Sequence, residues 1–396
     1  MKDTATYARV QLKPGREKPI LNGNPWVFSG AVDRIDGLEI NGQTCEVFSS
    51  DHEFLGMGYV NPQSKIPCRI LSRKRENINR DFIEKRIRQA LSLREGILND
   101  STTACRLINS EGDFLPGLII DRYGDGIVIQ FLTSGMELLR DDVFACIDSI
   151  MKPSFIVERS DSATRHEEGL ETTCRIISGT PGDTVEIREN GLRFHVDLLN
   201  GQKTGFYLDQ RDARYLFMNF TSGKRVLNLF AYTGGFSVAA AAGGAVHVTS
   251  VDTSGPALSL ARENMALNGY DSMPGDYCKD DVFHYLNTTD STWDCIIVDP
   301  PAFATKKAMV GKAARGYKDL NLRALRIINT GGILVTFSCS FHISMTLLRQ
   351  IIFAAVADSG RQAQVIAQIN HQQDHPFNIC HIEGEYLKGI FLRITE

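Results

Sequence analysis

From about residue 200 onward, nearly continuous apolar runs alternate with helical segments, and this pattern constrains the fold more than any other feature of the chain. The runs include RVLNLF, WDCIIVDP and GGILVTFS, and helical stretches such as GPALSLARENMALNG lie between them. Strands that are apolar on both faces belong to parallel sheets covered by helices on both sides. The sequence therefore predicts an α/β domain with a doubly wound, Rossmann-like parallel sheet.

Polar residues follow these predicted strands at their carboxyl ends, which is where open α/β sheets bind ligands. Gly234 and Gly235 form the first turn, where glycine permits close approach of a ligand, although a tight turn alone explains them equally well. Asp252 ends the next strand, 18 residues after Gly234, a spacing that suits a ribose diol. A helix cap is the alternative role for Asp252. Asp281 follows a third strand, where an adenine amino group could be bound.

The fourth strand ends in Asp299-Pro300-Pro301, and two prolines after an acid form a rigid, extended wall. Such a wall suits a flipped planar base, with Asp299 hydrogen-bonded at the edge of that base. A turn, two acids and DPP in this order resemble the S-adenosylmethionine-dependent methyltransferase fold.

Cys339 lies in TFSCS, at the tip of the strand after the Asp299 strand, so the two tips are expected to be neighbours. A buried cysteine usually has a packing role. A thiolate beside a pyrimidine has a chemical use, because its attack on carbon 6 makes carbon 5 able to take a methyl group. The sequence favours this nucleophilic role, which requires the thiol to lose its proton first.

The rest of the chain divides by pattern into two further units. Residues 1–74 show short β-type runs between turn residues, which indicates a small all-β domain. Residues 75–190 indicate an α+β domain, with helices over 80–98 and near 136–150 and a hairpin turn at Tyr123–Gly126. Asn190-Gly191 predicts a second tight hairpin. Residues 191–396 then form the α/β domain.

Charge and composition set limits on partners. Between Lys65 and Arg94 the chain has 10 basic and 3 acidic residues, a pattern that fits either phosphate contacts or a solvated face. The apolar stretches are shorter than the ~18 residues of a membrane span, and the N-terminal sequence lacks an apolar signal core. The nine cysteines form no CxxC pair. We therefore expect a cytoplasmic protein without a metal or membrane partner.

The whole chain resembles the bacterial large-subunit ribosomal RNA cytosine-carbon-5 methyltransferases. The landmarks occur in that family's order and are KPGREKPILNGNPWVFSGAV, LPGLIIDRYGD, GQKTGFYLDQRDAR, NLFAYTGGFS, VDTS, DPPAF, RGYKDLN, FSCS and YLKG. The resemblance implies an N-terminal PUA domain that binds RNA, a central α+β domain and a class I methyltransferase domain. It also implies S-adenosylmethionine as cofactor and 23S ribosomal RNA as substrate.

The same resemblance assigns roles to individual residues of this sequence. It places Cys339 as the nucleophile and Asp299 beside both the cofactor and the target base. The implied cofactor residues are Tyr207, Gln210, Asn228, Phe230, Tyr232, Gly234, Asp252 and Asp281. The Asp-Pro-Pro wall itself suggests Pro300, Pro301 and Phe303 as contacts to the base, and the basic stretch suggests Arg73, Lys74 and Arg75 as contacts to the RNA backbone.

Two departures from the family pattern bear on mechanism and RNA contact. Ala302 follows Pro301, where the family pattern leads us to expect Lys and where some RNA cytosine-carbon-5 enzymes use a second cysteine to release product. The base for that elimination step is therefore unassigned. NGNPW replaces a more basic stretch in the N-terminal domain.

Two rival functions fit parts of the same pattern, and a homodimer is possible. A methyltransferase of exocyclic amino groups would also use an Asp-Pro-Pro-aromatic wall, but it needs no thiol. A non-catalytic RNA-binding or ribosome assembly factor would keep the fold without transferring methyl groups. Cys339 distinguishes the favoured function, methylation of cytosine carbon 5, from amino-group methylation, and methyl transfer itself distinguishes it from the assembly factor.

Overall fold

The computed structural model of the protein describes residues 7–304 and 306–396, and the first described unit is a six-stranded sheet. Its elements are β1 (Ala8–Leu12), α1 (Lys18–Leu21), β2 (Trp26–Val27), β3 (Val32–Asp36), β4 (Gln43–Phe48), β5 (Phe54–Val60) and β6 (Cys68–Ser72). The strand order is β2-β6-β5-β4-β1-β3, and only β1 and β4 pair in parallel. The predicted all-β character of this region is confirmed. The first six residues of the expected 1–74 segment lie outside the described residues.

A five-stranded sheet with strand order β11-β10-β9-β8-β7 forms the central unit. Its elements are α2 (Arg80–Ser92), β7 (Ala104–Asn109), β8 (Leu118–Tyr123), β9 (Gly126–Phe131), α3 (Ser134–Leu138), α4 (Arg140–Met151), β10 (Ile156–Ser160), α5 (Thr164–Glu167) and β11 (Thr173–Ser178). Helices α2 and α4 share one hydrophobic core with this sheet. The helix expected over 80–98 ends at Ser92, and the one expected near 136–150 is divided into two at Leu139.

Both predicted hairpins form. Strands β8 and β9 pair up to Tyr123 and Gly126 on either side of their turn. Strands β12 (Val185–Glu189) and β13 (Leu192–Val196) pair from Glu189 and Leu192 outward. Asn190 and Gly191 both adopt positive φ, 50° and 84°, as the two-residue turn requires. The expected domain boundary between residues 190 and 191 therefore passes through the turn of a single hairpin.

The last unit is a seven-stranded sheet with strand order β16-β15-β14-β17-β18-β20-β19. Its elements are α6 (Arg211–Met218), β14 (Arg225–Leu229), α7 (Gly235–Ala242), β15 (His247–Asp252), α8 (Gly255–Leu267), β16 (Tyr277–Lys279), α9 (Val282–Thr288), β17 (Trp293–Val298), α10 (Val310–Ile327), β18 (Ile328–Ser338), α11 (Met345–Ser359), β19 (Ala363–Ile369) and β20 (Lys388–Ile394). Strands β14 to β18 run parallel, and β20 runs antiparallel to both neighbours. The predicted doubly wound α/β domain is confirmed.

This strand order brings the predicted functional tips to one edge of the sheet. The order reverses between β14 and β17, which creates the crevice where ligands bind on open α/β sheets. Asp252 ends β15, Asp299 follows β17 and Cys339 follows β18. Because Val298 of β17 pairs with Thr336 of β18, the Asp299 and Cys339 tips are neighbours, as expected. Among the described residues, no helix has both the length and the hydropathy needed to cross a membrane.

The segment between β19 and β20 joins the central unit to the α/β unit through the fully buried Asp374. Its carboxylate accepts hydrogen bonds from the backbone N–H of Arg106 on β7 (3.2 Å) and from the guanidinium of Arg211 on α6 (3.1 Å). Its backbone carbonyl accepts a hydrogen bond from buried Arg94 (3.0 Å). Although burial opposes ionisation, the His375 hydrogen bond and the charge of Arg211 hold the pKa of Asp374 well below its ordinary value.

We predict that Asp374→Asn lowers the free energy of unfolding by about 3–5 kcal/mol, because it leaves the buried Arg211 cation with only the exposed and more distant Asp212 (3.8 Å) as a partner. Urea denaturation measures this change. As a matched control, Asp358→Asn removes an exposed ion pair to Lys318 (2.6 Å) and should cost less than about 1 kcal/mol. Equal losses in the two variants would show that Asp374 does not stabilise the contact between the two units.

Candidate active site

A cavity of about 380 Å³ lies at the carboxyl edge of the seven-stranded sheet. Its walls come from the ends of β14, β15, β17 and β18, from the start of α9, and from the segment before α6. Twelve of the residues named from the sequence line it: Tyr207, Gln210, Asn228, Phe230, Tyr232, Asp252, Asp281, Asp299, Pro300, Pro301, Phe303 and Cys339. The structure thus brings together residues spread over more than a hundred positions of sequence.

The loop after β14 has an unusual backbone conformation. Phe230 and Tyr232 have φ of 60° and 47°, a left-handed conformation that is costly for residues with a side chain. Gly234 also has positive φ (80°), and a Cβ atom there would lie 2.9 Å from the Cβ of Ala261 on α8. Gly234 therefore permits close helix packing, and it is the neighbouring Gly235 that lines the cavity.

Asp252 and Asp281 present carboxylates to the cavity with hydrogen-bonding capacity to spare. The two oxygens of Asp252 each accept one backbone N–H, from Tyr232 and Ser254, both at 2.9 Å. Ser254 rather than Asp252 caps helix α8, so the alternative role considered for Asp252 belongs to its neighbour. Asp281 does cap helix α9, through one oxygen that accepts from the N–H of His284 (3.1 Å). A carboxylate accepts about four hydrogen bonds, so both can still bind hydroxyl or amino groups.

These features fit S-adenosylmethionine. An oriented carboxylate at the end of the second strand suits the ribose hydroxyls, and a second one beyond it suits the adenine amino group. The aromatic ring of Phe230 and the glycine turn complete the wall. Among the described residues, no group of three or more His, Cys, Asp or Glu side chains is arranged to hold a metal ion.

Asp299 stands at the bottom of the cavity in a protonation state different from that of a surface acid. Its Oδ2 accepts a hydrogen bond from Nε2 of Gln210 (2.9 Å). Burial raises the pKa of Asp299 to about 7, and the negative charge of Asp209 adds to the effect. A substantial fraction of the Asp299 carboxyl groups therefore carries a proton near neutral pH and can donate a hydrogen bond.

Three hydrogen bonds hold the tip of β18 in place. The hydroxyl of Ser338 donates to the hydroxyl of Tyr317 (3.2 Å), and the hydroxyl of Ser340 accepts from the N–H of Ala304 (3.2 Å). The ammonium of Lys388, a residue only 1% exposed, donates to the carbonyl of Ser340 (2.8 Å). The two serines in the SCS sequence thus fix the backbone on both sides of Cys339.

Cys339 itself is partly buried, with its Sγ 3.9 Å from the carbonyl oxygen of Pro300. Burial and, to a smaller extent, the charge of Asp299 raise the pKa of its thiol to about 11, although the charge of Lys203 opposes the shift. The thiol therefore carries its proton in the resting protein. Ionisation becomes easier when Asp299 is neutral or when a bound ligand adds positive charge.

A second and larger cavity, of about 750 Å³, opens between the central unit and the α/β unit. We call it the interdomain groove, and it is lined by Arg106, Gln130 and Arg159 of the central unit and by His375 and Pro376 of the segment before β20. Six residues line both the first cavity and this groove: Gln202, Lys203, Phe206, Tyr207, Asp209 and Cys339. Cys339 thus lies at the junction where a substrate entering through the groove would meet a cofactor.

The basic residues named from the sequence lie outside both cavities. Arg73 and Arg75 are exposed, but Arg73 donates to the carbonyl of Ile20 (2.8 Å) and Arg75 pairs with Glu46 (3.1 Å). Within the same stretch, Arg69 and Arg94 are buried in ion pairs with Glu168 and Asp113. A phosphate surface in this region is therefore smaller than the 10 basic residues suggested, and a role for Arg73, Lys74 and Arg75 in RNA binding stays a prediction.

Sequence reasoning did not name three residues that the structure places at the site: Lys203, Asp209 and Lys388. The first two lie in GQKTGFYLDQRDAR, beside the named Tyr207 and Gln210, and they could have been noted as the charged residues of that segment. Lys388 lies in YLKG, some fifty residues beyond Cys339, and its ammonium contacts the neighbouring Ser340 carbonyl because β20 pairs with β18. No local sequence signal predicts that pairing.

Comparison with known proteins gives two domain matches and a set of full-length relatives. Residues 151–355 match the family described as S-adenosylmethionine-dependent methyltransferase, and residues 10–73 match the PUA-like domain family. A protein named ribosomal RNA large subunit methyltransferase I from Aeromonas hydrophila is 42% identical over 98% of this chain and 99% of its own length. A protein of the same name from Escherichia coli O139:H28 is 41% identical with the same coverage.

Two solved structures are similar over nearly the whole chain. A candidate S-adenosylmethionine-dependent methyltransferase from Streptococcus mutans superposes with a TM-score of 0.84 at 26% identity, covering 97% of this chain and 99% of that protein. A candidate methyltransferase crystallised in complex with SAH superposes with a TM-score of 0.85 at 27% identity and the same coverage.

We predict that Asp252→Ala weakens S-adenosylmethionine binding at least tenfold, because each hydrogen bond to a charged group contributes about 1.5–3 kcal/mol. Calorimetric titration of the folded variant measures the affinity. Asp294→Ala is the matched control, because Asp294 also accepts a backbone N–H (from Arg225, 2.9 Å) but lies at the opposite edge of the sheet. Unchanged affinity in Asp252→Ala would remove Asp252 from the cofactor site.

Proposed function

Because the chain belongs to the S-adenosylmethionine-dependent methyltransferases, and among them to the ribosomal RNA large subunit methyltransferase I family, we propose that it methylates carbon 5 of a cytosine in 23S ribosomal RNA. The observation that carries this proposal is the position of Cys339, which lines both the cofactor cavity and the interdomain groove. A partly buried thiol at that junction can reach a base from the groove and hold it beside the cofactor.

Carbon 5 of cytosine is a weak nucleophile, so the protein must activate it before the methyl group moves. The Cys339 thiolate adds to carbon 6, and the electron pair of the carbon 5–carbon 6 double bond shifts toward the ring nitrogen N3. A protonated Asp299 can deliver its proton to N3 and so neutralise the developing charge. Carbon 5 then has enamine character. S-adenosylmethionine, when bound, supplies the electrophilic methyl group that this carbon requires.

The protein's own residues position the base for this addition. Pro300 and Pro301 form the rigid wall next to the sulfur, and the Sγ of Cys339 lies 3.9 Å from the Pro300 carbonyl. The ring of Phe303 packs on that of Tyr317 at 4.7 Å and extends the wall. A flipped base placed against this wall would have its edge toward Asp299 and its face toward Cys339.

RNA approach through the groove is consistent with a PUA-like domain in the same chain. The PUA-like unit packs against the central unit. Between them, the hydroxyl of Tyr59 on β5 donates a hydrogen bond to the carbonyl of Pro116 (2.8 Å). The groove has donor groups from the central unit on one side and the segment before β20 on the other. Exposed Arg73, Lys74 and Arg75 lie on the connection between the two units and would add contacts to the RNA backbone.

We predict that Cys339→Ser abolishes methyl transfer while it leaves folding and S-adenosylmethionine affinity intact. RNA that carries 5-fluorocytosine at the target should form a covalent adduct with the wild-type protein, because fluorine cannot leave as a proton does. Denaturing electrophoresis detects this adduct. Cys339→Ser should form none, and Cys278→Ser, which alters another partly exposed cysteine of the same domain, should form it normally.

Near-normal turnover by Cys339→Ser would contradict a nucleophilic role. In that case methylation of an exocyclic amino group at the Asp299-Pro300-Pro301 wall becomes the leading function. RNA binding without any methyl transfer by the wild-type protein would instead favour an assembly factor.

A second prediction concerns pH and follows from the two pKa values of the site. The competent form has a protonated Asp299 (pKa about 7) and an ionised Cys339 (pKa about 11). For the wild type, kcat/KM should rise about tenfold per pH unit below pH 7 and then level off, because gain of thiolate is offset by loss of the Asp299 proton. In Asp299→Asn, whose amide donor does not titrate, kcat/KM should keep rising above pH 7. A bend at the same pH in both proteins would contradict the role of Asp299 as the acid.

A further inference from the structure

Transfer of the methyl group to carbon 5 does not complete the reaction. The assignment of a base for the remaining step rests on the proposed function. After transfer, carbon 5 carries both the methyl group and its original hydrogen, and carbon 6 is still bonded to Cys339. The product leaves only when a base removes that hydrogen. Ala302 follows Pro301 and has no group that accepts a proton. The base must therefore come from another part of the site.

We propose that Asp209 accepts the proton that leaves carbon 5. The cytosine enters from the groove and is methylated beside the cofactor, so we take as candidates for this base the six residues that line both cavities: Gln202, Lys203, Phe206, Tyr207, Asp209 and Cys339. The phenyl ring and the amide are not bases, and the lysine ammonium has no lone pair to accept a proton. Cys339 is bonded to carbon 6 at this stage. Burial raises the pKa of Tyr207, so its phenol keeps its proton.

The hydrogen-bonding capacity of the Asp209 carboxylate is only partly used. Asp209 is only 7% exposed and lies in the short turn Leu208–Gln210 before α6. Its Oδ2 accepts a hydrogen bond from the hydroxyl of Tyr386 (2.8 Å), whereas its Oδ1 is buried and has no hydrogen-bond partner among the described residues. A buried carboxylate oxygen without a partner is costly, so its retention indicates a use in the bound state.

The surroundings of Asp209 keep it ionised. Although burial opposes ionisation, the positive charges of His375 and Lys203 and the Tyr386 hydrogen bond hold the pKa of Asp209 below its ordinary value. An ionised carboxylate is ready to accept a proton at neutral pH. Asp299 is less suitable, because it lines only the cofactor cavity and because its carboxylate, once it has protonated N3, is the group that takes that proton back.

Asp209 and Asp299 together account for the protons that move in the elimination. Asp209 takes the proton from carbon 5, and the electron pair of that C–H bond restores the enamine. The enamine then expels Cys339: the carbon 6–sulfur bond breaks, its electron pair returns to sulfur as thiolate, and the carbon 5–carbon 6 double bond re-forms. The proton on N3 returns to the Asp299 carboxylate. Asp209 loses its acquired proton to water in the groove.

Asp209→Asn tests the proposal directly, with unmodified cytosine RNA and labelled S-adenosylmethionine. We expect at most one methyl group transferred per protein molecule, with the methylated RNA still attached to Cys339 and visible as an adduct on denaturing electrophoresis. Release should slow at least about a hundredfold, in line with the loss of a general base. The double variant Asp209→Asn/Cys339→Ser should form no adduct. Asp148→Asn, an exposed isosteric change on α4, should turn over normally without adduct.

Other outcomes overturn the assignment. Normal turnover by Asp209→Asn means that another group takes the proton. Loss of methyl transfer without adduct, in a variant that still binds S-adenosylmethionine, means that Asp209 acts before transfer, for example by accepting the cytosine amino group. Asp209→Glu keeps the charge if the Asn variant does not fold, and it should accumulate some adduct because its carboxylate is displaced; normal release without adduct in this variant contradicts the proposal.

Failure of this proposal can be distinguished from failure of the proposed function. If the wild-type protein forms no adduct with 5-fluorocytosine RNA, the nucleophilic role of Cys339 is wrong and no elimination is needed. If the wild type forms that adduct but Asp209→Asn accumulates none with cytosine RNA, only the assignment of Asp209 is wrong.

Discussion

The buried carboxylate of Asp374 holds together the two parts of the chain between which the groove forms. One side chain accepts from the backbone of β7 in the central unit and from Arg211 at the start of α6 in the α/β unit. The helix that Arg211 begins follows directly on Tyr207, Asp209 and Gln210. The same ion pair therefore positions the two units that form the walls of the groove, and with them the residues that face the cofactor. A buried charge of this kind stabilises only when its partners are all in place, which makes the arrangement specific as well as stable.

The site contains two carboxyl groups, Asp299 and Asp209, whose surroundings shift their pKa values in opposite directions. Burial raises the pKa of Asp299 to about 7, whereas the cations around Asp209 hold its pKa below the ordinary value. Two carboxyls of different proton affinity in the same cavity as one nucleophile suit a reaction that first gives a proton to the base and later removes one. The Cys339 thiol stays protonated at rest, which limits unproductive chemistry until cofactor and base are present.

Local rules were sufficient for the sheet and for the strand-end residues of the cofactor cavity, whereas its other residues, Tyr207, Gln210, Asn228, Phe230 and Tyr232, were named through the family resemblance. Apolar runs identify parallel strands, and the residues after those runs must meet at one edge, so Asp252, Asp281, Asp299 and Cys339 could be placed together. The hairpin at Asn190-Gly191 follows equally from its turn residues. Lys388 and Asp374 could not be found in this way, since their positions depend on β20 inserting between β18 and β19. The charge count over Lys65–Arg94 overestimated the basic surface that is free to bind phosphate, because Arg69 and Arg94 pair with acids distant in sequence.

In the proposed reaction, the methyl group goes to a carbon atom activated by Cys339 and not to an amino group. Nucleoside analysis by mass spectrometry, after the purified protein has modified large-subunit ribosomal RNA with isotope-labelled S-adenosylmethionine, tests it most directly. We expect the labelled methyl group in 5-methylcytidine, with loss of the hydrogen from carbon 5. Label in N4-methylcytidine, or in any nucleoside methylated on an exocyclic nitrogen, would contradict it.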